Sequence, residues 1–278
     1  TYTIVNGDNG KMATVSYSGG NITDLVGNIL VPENKPLGGN EIIADTVMPE
    51  LNTINVISPA SDTYKAGTEI TIRATYSEPV KGTAPVLKVK FGNGTERTTT
   101  SPGTITTAST TIDYKYTIQA GDNGTLVSTS YTGTVTDVSG NPVTVSNKAL
   151  GGNTIIADTI APTVTSLTVS SPGTDTYKAG TVVKIKATWS ENIYGDANRN
   201  AVTAATAPVL KIKFGSSTER TATFNSVSGN IITYTYTIQS GDNGKIESTS
   251  YSGTLYDFAR NAGTATNKTL GGNIITAD

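Results

Sequence analysis

The sequence predicts an all-β protein built of tandem sandwich domains, and three observations carry that prediction. The chain repeats itself: Gly7-Asp-Asn-Gly10 returns at Gly121 and Gly241, spacings of 114 and 120 residues, each the size of a globular domain rather than of a solenoid unit. Apolar and polar residues alternate at the period of a strand, and no segment carries the period of a helix. Turn signals rich in Gly, Asn, Asp and Pro separate these runs every 8–12 residues or so.

The repeat boundaries are marked by Asp137-Val-Ser-Gly-Asn141, Leu150-Gly-Gly-Asn153, Ile155-Ile-Ala-Asp158 and Thr159-Ile-Ala-Pro162. The same marks stand earlier at Asp24–Asn28, Leu37–Asn40, Ile42–Asp45 and Thr46–Pro49, and later at Asp257–Asn261, Leu270–Asn273 and Ile275–Asp278. They divide the chain into a C-terminal fragment of a repeat (1–45), a complete repeat (46–158) and a second complete repeat (159–278) with an inserted loop at 192–206. The insertion makes the path from Ser190 to Ala207 ten residues longer than that from Ser77 to Ala84. Because it opens in mid-repeat, the chain reads as a piece of a longer protein. The fragment holds only the last two strands of a domain, which cannot bury a core alone and need strands from elsewhere in the protein or from another chain.

The first complete repeat opens with a short strand at 51–57, closed by Ser58-Pro59 and a turn at Ser61-Asp62-Thr63. Residues 69–76 then alternate, with Ile70, Ile72, Ala74 and Tyr76 inward; the second repeat matches them with Val183, Ile185, Ala187 and Trp189. Core packing is the expected role of Tyr76 and Trp189. Strands follow at 86–91 (its counterpart at 209–214), 111–118, 125–135 and 143–157, the last broken at Gly151-Gly152. Asn93-Gly94 marks a hairpin. About seven antiparallel strands in a repeat of this length are the pattern of an immunoglobulin-like β-sandwich.

Composition removes several functions. The 20 basic and 22 acidic residues leave no basic patch for nucleic acid and no cationic amphipathic stretch, and no apolar run is long enough for direct membrane insertion of this segment. With neither Cys nor His, the chain has no disulfide, no Cys/His zinc site and no catalysis by a Cys nucleophile or His base. It reads as a non-enzyme. Abundant Thr, Ser, Gly and Asn with few charges is the composition of secreted β-rich proteins.

Strand order alone gathers the acids. In a sandwich of this order, the loop after the second strand and the loop between the last two strands lie at one end, beside the entering linker. That end collects Asp45, Glu78 and Asp137 in the first complete repeat, and Asp158, Glu191 and Asp257 in the second. The Gly-Asp-Asn-Gly turn lies at the opposite end and faces the next domain, so Asp8 is expected to join the first cluster and Asp122 the second. Converging carboxylates repel unless protonated, solvated or neutralised by a cation, and calcium suits hard oxygen ligands on flexible loops. The same residues are also ordinary turn formers that cap their own backbone. Asp196-Ala-Asn-Arg-Asn200 matches the start of a calcium loop but lacks its Gly and distal Glu, and reads as a surface loop.

Tyr76-Ser-Glu-Pro-Val80, with Trp189-Ser-Glu191 in the second repeat, Asp137-Val-Ser-Gly-Asn141 and Asp158-Thr-Ile-Ala-Pro-Thr163 together resemble the bacterial Ig-like repeats of S-layer proteins and large cell-surface adhesins. The resemblance spans the chain and implies an extracellular, cell-surface, non-enzymatic array whose interdomain junctions hold calcium. The second repeat departs from the pattern at Asn192 and at Phe258-Ala-Arg-Asn261, which lacks the loop Gly. Three functions follow as expectations. The first is a stalk or spacer for adhesion, stiffened by calcium between neighbouring repeats. The second is a subunit of a self-assembling S-layer or filament, with strands completed by other protomers. The third is a carbohydrate-binding module for cell-surface glycans, resting on Trp189 and the inserted loop.

Overall fold

A computed structural model describes all of residues 1–278 as β-structure and loops, with no helix. Two separate cores organise it. One buries 22 apolar residues between Leu51 and Ala157, the other 23 between Val164 and Ala277, and no residue belongs to both.

In the first unit the inward-facing residues Ile70, Ile72, Ala74 and Tyr76 are all buried. Their strand, Glu69–Thr83, lies between Leu51–Ser58 and Thr104–Thr117, antiparallel to both. It runs beyond Tyr76 because Val80 re-enters pairing after the Ser77-Glu78-Pro79 bend, bonding to Ser109 on one side and Asp137 on the other. Val86–Phe91 pairs with Gly124–Asp137 to build the facing layer. That long strand thereby joins both layers at the end where Glu78 and Asp137 sit. In the second unit Arg220–Ser228 makes a similar link, pairing with Val209–Phe214 at its start and Ile231–Thr237 over the rest.

Four pairings, two at matching places in each unit, differ from the all-antiparallel expectation, and those of the first unit are representative. Leu150–Gly152 runs parallel to Leu51–Ser58, and Ile155–Ala157 runs parallel to Asp62–Tyr64. The Asp62 segment, expected as a turn, is therefore a short edge strand, and three residues are too few to display a period. The first and last strands change layers together. Gly152, at φ +77°, turns the last strand away from Val56, and Asn153 Nδ2 donates to the Pro59 carbonyl at 2.7 Å to hold both crossings at one level.

Residues 1–45 form a ribbon of two-residue strands, Gly10–Lys11 against Ile43–Ala44. Tyr17 and Ile42 are 62% and 46% exposed, whereas their counterparts Tyr131 and Ile155 are buried. The insertion at 192–206 is more than surface decoration. It tucks Ile193 and Val202 into the second core, and Tyr194 bridges Tyr256.

Candidate metal centre

Each unit carries a trio of carboxylates at its entrance. Asp45, Glu78 and Asp137 bring one oxygen each to within 4.8 Å of one another, and so do Asp158, Glu191 and Asp257. In each trio the first acid begins the incoming linker, the second lies two residues beyond the inward-facing Tyr76 or Trp189, and the third opens the loop between the last two strands. Six of the eight acids selected from the sequence are therefore brought together, in the expected groups of three.

The loop acids are the most constrained. Asp137 Oδ1 accepts from Gly140 N at 2.6 Å and Asn141 N at 2.8 Å, and its Oδ2 from Asn141 Nδ2 at 2.8 Å. Asp257 is fully buried and accepts from Asn261 N at 2.8 Å and Asn261 Nδ2 at 2.7 Å. The same amide groups reach the linker: Asn141 Nδ2 donates to the Asp45 carbonyl at 2.9 Å, and Asn261 Nδ2 to the Asp158 carbonyl at 2.8 Å. One asparagine per loop thus fixes both the loop acid and the linker that brings its partner.

The two trios differ in charge balance, and the loop sequence explains why. Burial pushes Asp137 up, but bonds from Asn141, Gly140 and Ser139 outweigh it and hold the carboxyl below its ordinary range. In the second loop Arg260 replaces Gly140, adopts φ 74°, and gives its N–H to the Asp257 main-chain carbonyl instead. Burial then dominates, and with Asp158 adjacent Asp257 is pushed up. Glu78 is raised by burial and by Asp45 and Asp137. Glu191, more enclosed, is pushed up to about 7 by burial and then by Asp158 and Asp257. No basic side chain is paired with any acid of either trio. Three carboxylates on one linker and two loops, with main-chain carbonyls beside them, form the kind of oxygen-rich arrangement that a hard divalent cation neutralises.

Asp8 and Asp122 do not join the trios. Asp122 is buried within its own turn, its Oδ2 accepting from Tyr116 Oη at 2.5 Å and Gln119 N at 2.9 Å, with Arg97 3.6 Å from Oδ1. Asp8 likewise accepts from Tyr2 Oη and Val5 N. The turn does meet the following linker, but through its neighbours. Asn123 Oδ1 accepts from Thr159 N at 2.8 Å, and Gly121 N donates to Thr159 Oγ1 at 3.0 Å. Asn9, Gly7 and Thr46 repeat the arrangement. The linker is thereby cross-stitched: Asp158 points forward to the next unit, while Thr159, one residue later, is tied back to the previous one. The pairing of Asp-Thr at each boundary with Asp-Asn in each turn was the available sequence signal.

Two further candidates are accounted for locally. Asp196 is closed on itself, accepting from Asn198 N, Asn200 N and Asn200 Nδ2. Trp189 is buried with its ring 6.4 Å from that of Tyr251, so it presents no face on which a sugar could stack. No protein-family model matches the chain, and no curated protein matches it significantly.

Proposed function

We propose that this chain is a non-enzymatic structural segment of an extracellular surface protein: tandem immunoglobulin-like sandwiches forming a stalk or spacer for adhesion, stiffened by calcium at each junction. One observation carries the reading. In both units the acid that begins the linker meets two acids from well-separated loops of the following unit, without a basic partner. A bound cation would fix the linker to the unit it enters, while the Thr–Asn bonds fix it to what precedes. The division of labour differs from a metal shared between loops of two domains, since only the linker and the following unit supply carboxylates.

Calorimetric titration of the whole chain tests this. Two calcium ions per chain are expected, with Asp257→Asn and Asp137→Asn each removing one. An absence of binding heat at millimolar calcium, or a stoichiometry unmoved by both substitutions, would overturn the reading. A second reading, an S-layer or filament subunit completed by strands of another protomer, is favoured by the exposure of Tyr17 and Ile42 at positions that both complete units bury. Burial of Trp189 counts against a carbohydrate-binding role.

A further inference from the structure

Three departures of the second unit from the repeat meet at a single carboxylate of the first. The insertion supplies Arg199, and the loop that replaces Val138-Ser-Gly140 supplies Phe258 and Arg260. Arg199 Nη2 lies 2.8 Å from both oxygens of Asp62, 137 residues away in sequence, and 3.4 Å from the Thr63 carbonyl. Its Nε donates to the Phe258 carbonyl at 2.7 Å, and its guanidinium carbon stands 3.7 Å from the centre of the Phe258 ring. Arg260 Nη2 adds a second positive charge 3.7 Å from Asp62 Oδ2. Tyr194, from the insertion, packs against the other residues of this group through Phe258, with ring centres 6.1 Å apart.

The pair is partly shielded, with side-chain exposures of 20% for Arg199 and 23% for Asp62, so solvent screens it less than the open ion pairs elsewhere on the surface. A planar guanidinium held by the Phe258 carbonyl and ring face of its own unit is oriented before it meets the Asp62 carboxylate of the other. Asp62 sits on the edge strand beside Ile155–Ala157, at the exit of the first unit. The carboxylate of its counterpart Asp175 accepts only from the adjacent Thr176 N–H. The acid therefore belongs to the repeat, and its basic partners belong to the insertion and the altered loop. At the entrance of the first unit the corresponding positions are Val138 and Gly140, and there is no insertion.

We propose that the insertion at 192–206 is an interdomain clamp, in which Arg199, positioned by Phe258 and assisted by Arg260, grips Asp62 and holds the two complete units in one orientation without a cation. This rests on the stalk reading and refines it: the junction at 158–162 stays rigid when calcium is removed, whereas the junction at 45–49 depends on its acid trio.

Because the chain has no cysteine, nitroxide labels can be placed uniquely on the exposed Thr95 and Thr218 as Thr95→Cys and Thr218→Cys, and the distance distribution between the units read by pulsed electron spin resonance in excess chelator. The unmodified pair should give a narrow distribution. Arg199→Ala should broaden it at least two-fold, and Arg199→Lys, which keeps the charge but loses the fork and the flat stack, should fall between. Asp62→Asn lies on the other unit, leaves the insertion's own packing intact, and should broaden it as well. If Arg199→Ala and Asp62→Asn both remain as narrow as the parent, the clamp is wrong. If they broaden and calcium fails to narrow them again, the clamp stands and the cation reading of the second trio falls.

Discussion

At the scale of single residues, the two trios put identical acids into unequal surroundings, and Glu191 is the sharpest case. Its ordinary pKa of 4.5 is pushed up to about 7 in the folded chain. Between those values the folded state holds a proton that the unfolded state has released. Glu191 therefore adds stability that is complete below about pH 4.5 and is lost as pH rises through 7. The upward shift of Asp257 acts in the same direction. In chelator, the wild-type second unit should be less stable to urea at pH 8 than at pH 5, and Glu191→Gln should flatten that slope; an unchanged slope in the variant would contradict the assignment. The sequence made the trio members legible because strand order fixes which loops share an end. It did not reveal that Asp122 is consumed by Tyr116 and Gln119, because loop position says where a residue lies but not which way its carboxylate turns. Nor did it single out Asn141 and Asn261, whose amide groups join loop to linker.

At the scale of elements, alternation placed Val86–Phe91 and Val209–Phe214 at their expected bounds, but Glu69–Thr83 runs on past the stretch expected at 69–76 and Thr104–Thr117 starts well before the one expected at 111–118. What alternation could not show were the short edge strand Asp62–Tyr64 and the parallel pairings made by the broken last strand. Those depend on Gly152, where a Cβ would press on the Val56 carbonyl oxygen and where φ is +77°. Gly140 has an equally left-handed backbone but open space around it, and the second unit places Arg260 at the same point. Urea unfolding should accordingly show Gly152→Ala destabilising the first unit by about 2 kcal/mol or more, against about 1 kcal/mol for Gly140→Ala. Equal losses would mean that the layer change does not depend on close approach. The insertion was visible in the sequence as ten extra residues, but its partner was not: Asp62 is far away in the chain and belongs to a different unit.

At the scale of the whole molecule, the chain is two independent cores linked by a boundary of very few residues, so what happens at that boundary decides whether the array bends. The internal repeat announced the units from spacing alone. The behaviour of the boundary depends on side chains from three places: a linker acid and two loop acids, a Thr held by the preceding turn, and in one case an arginine clamp. The central claim is that the acid trios are cation sites, and calorimetric melting of the whole chain in calcium and in excess chelator tests it most directly. A ligand at about a hundred times its dissociation constant stabilises the folded state by about 2.7 kcal/mol, and for a domain of this size each kcal/mol moves the midpoint by roughly 4 °C. The account predicts a rise of about 10 °C in calcium for both complete units, abolished in the second by Asp257→Asn and in the first by Asp137→Asn. Superimposable melts in calcium and chelator would contradict it, leaving the trios as turn-forming acids and the bonded linker and the clamp as the only ties between units.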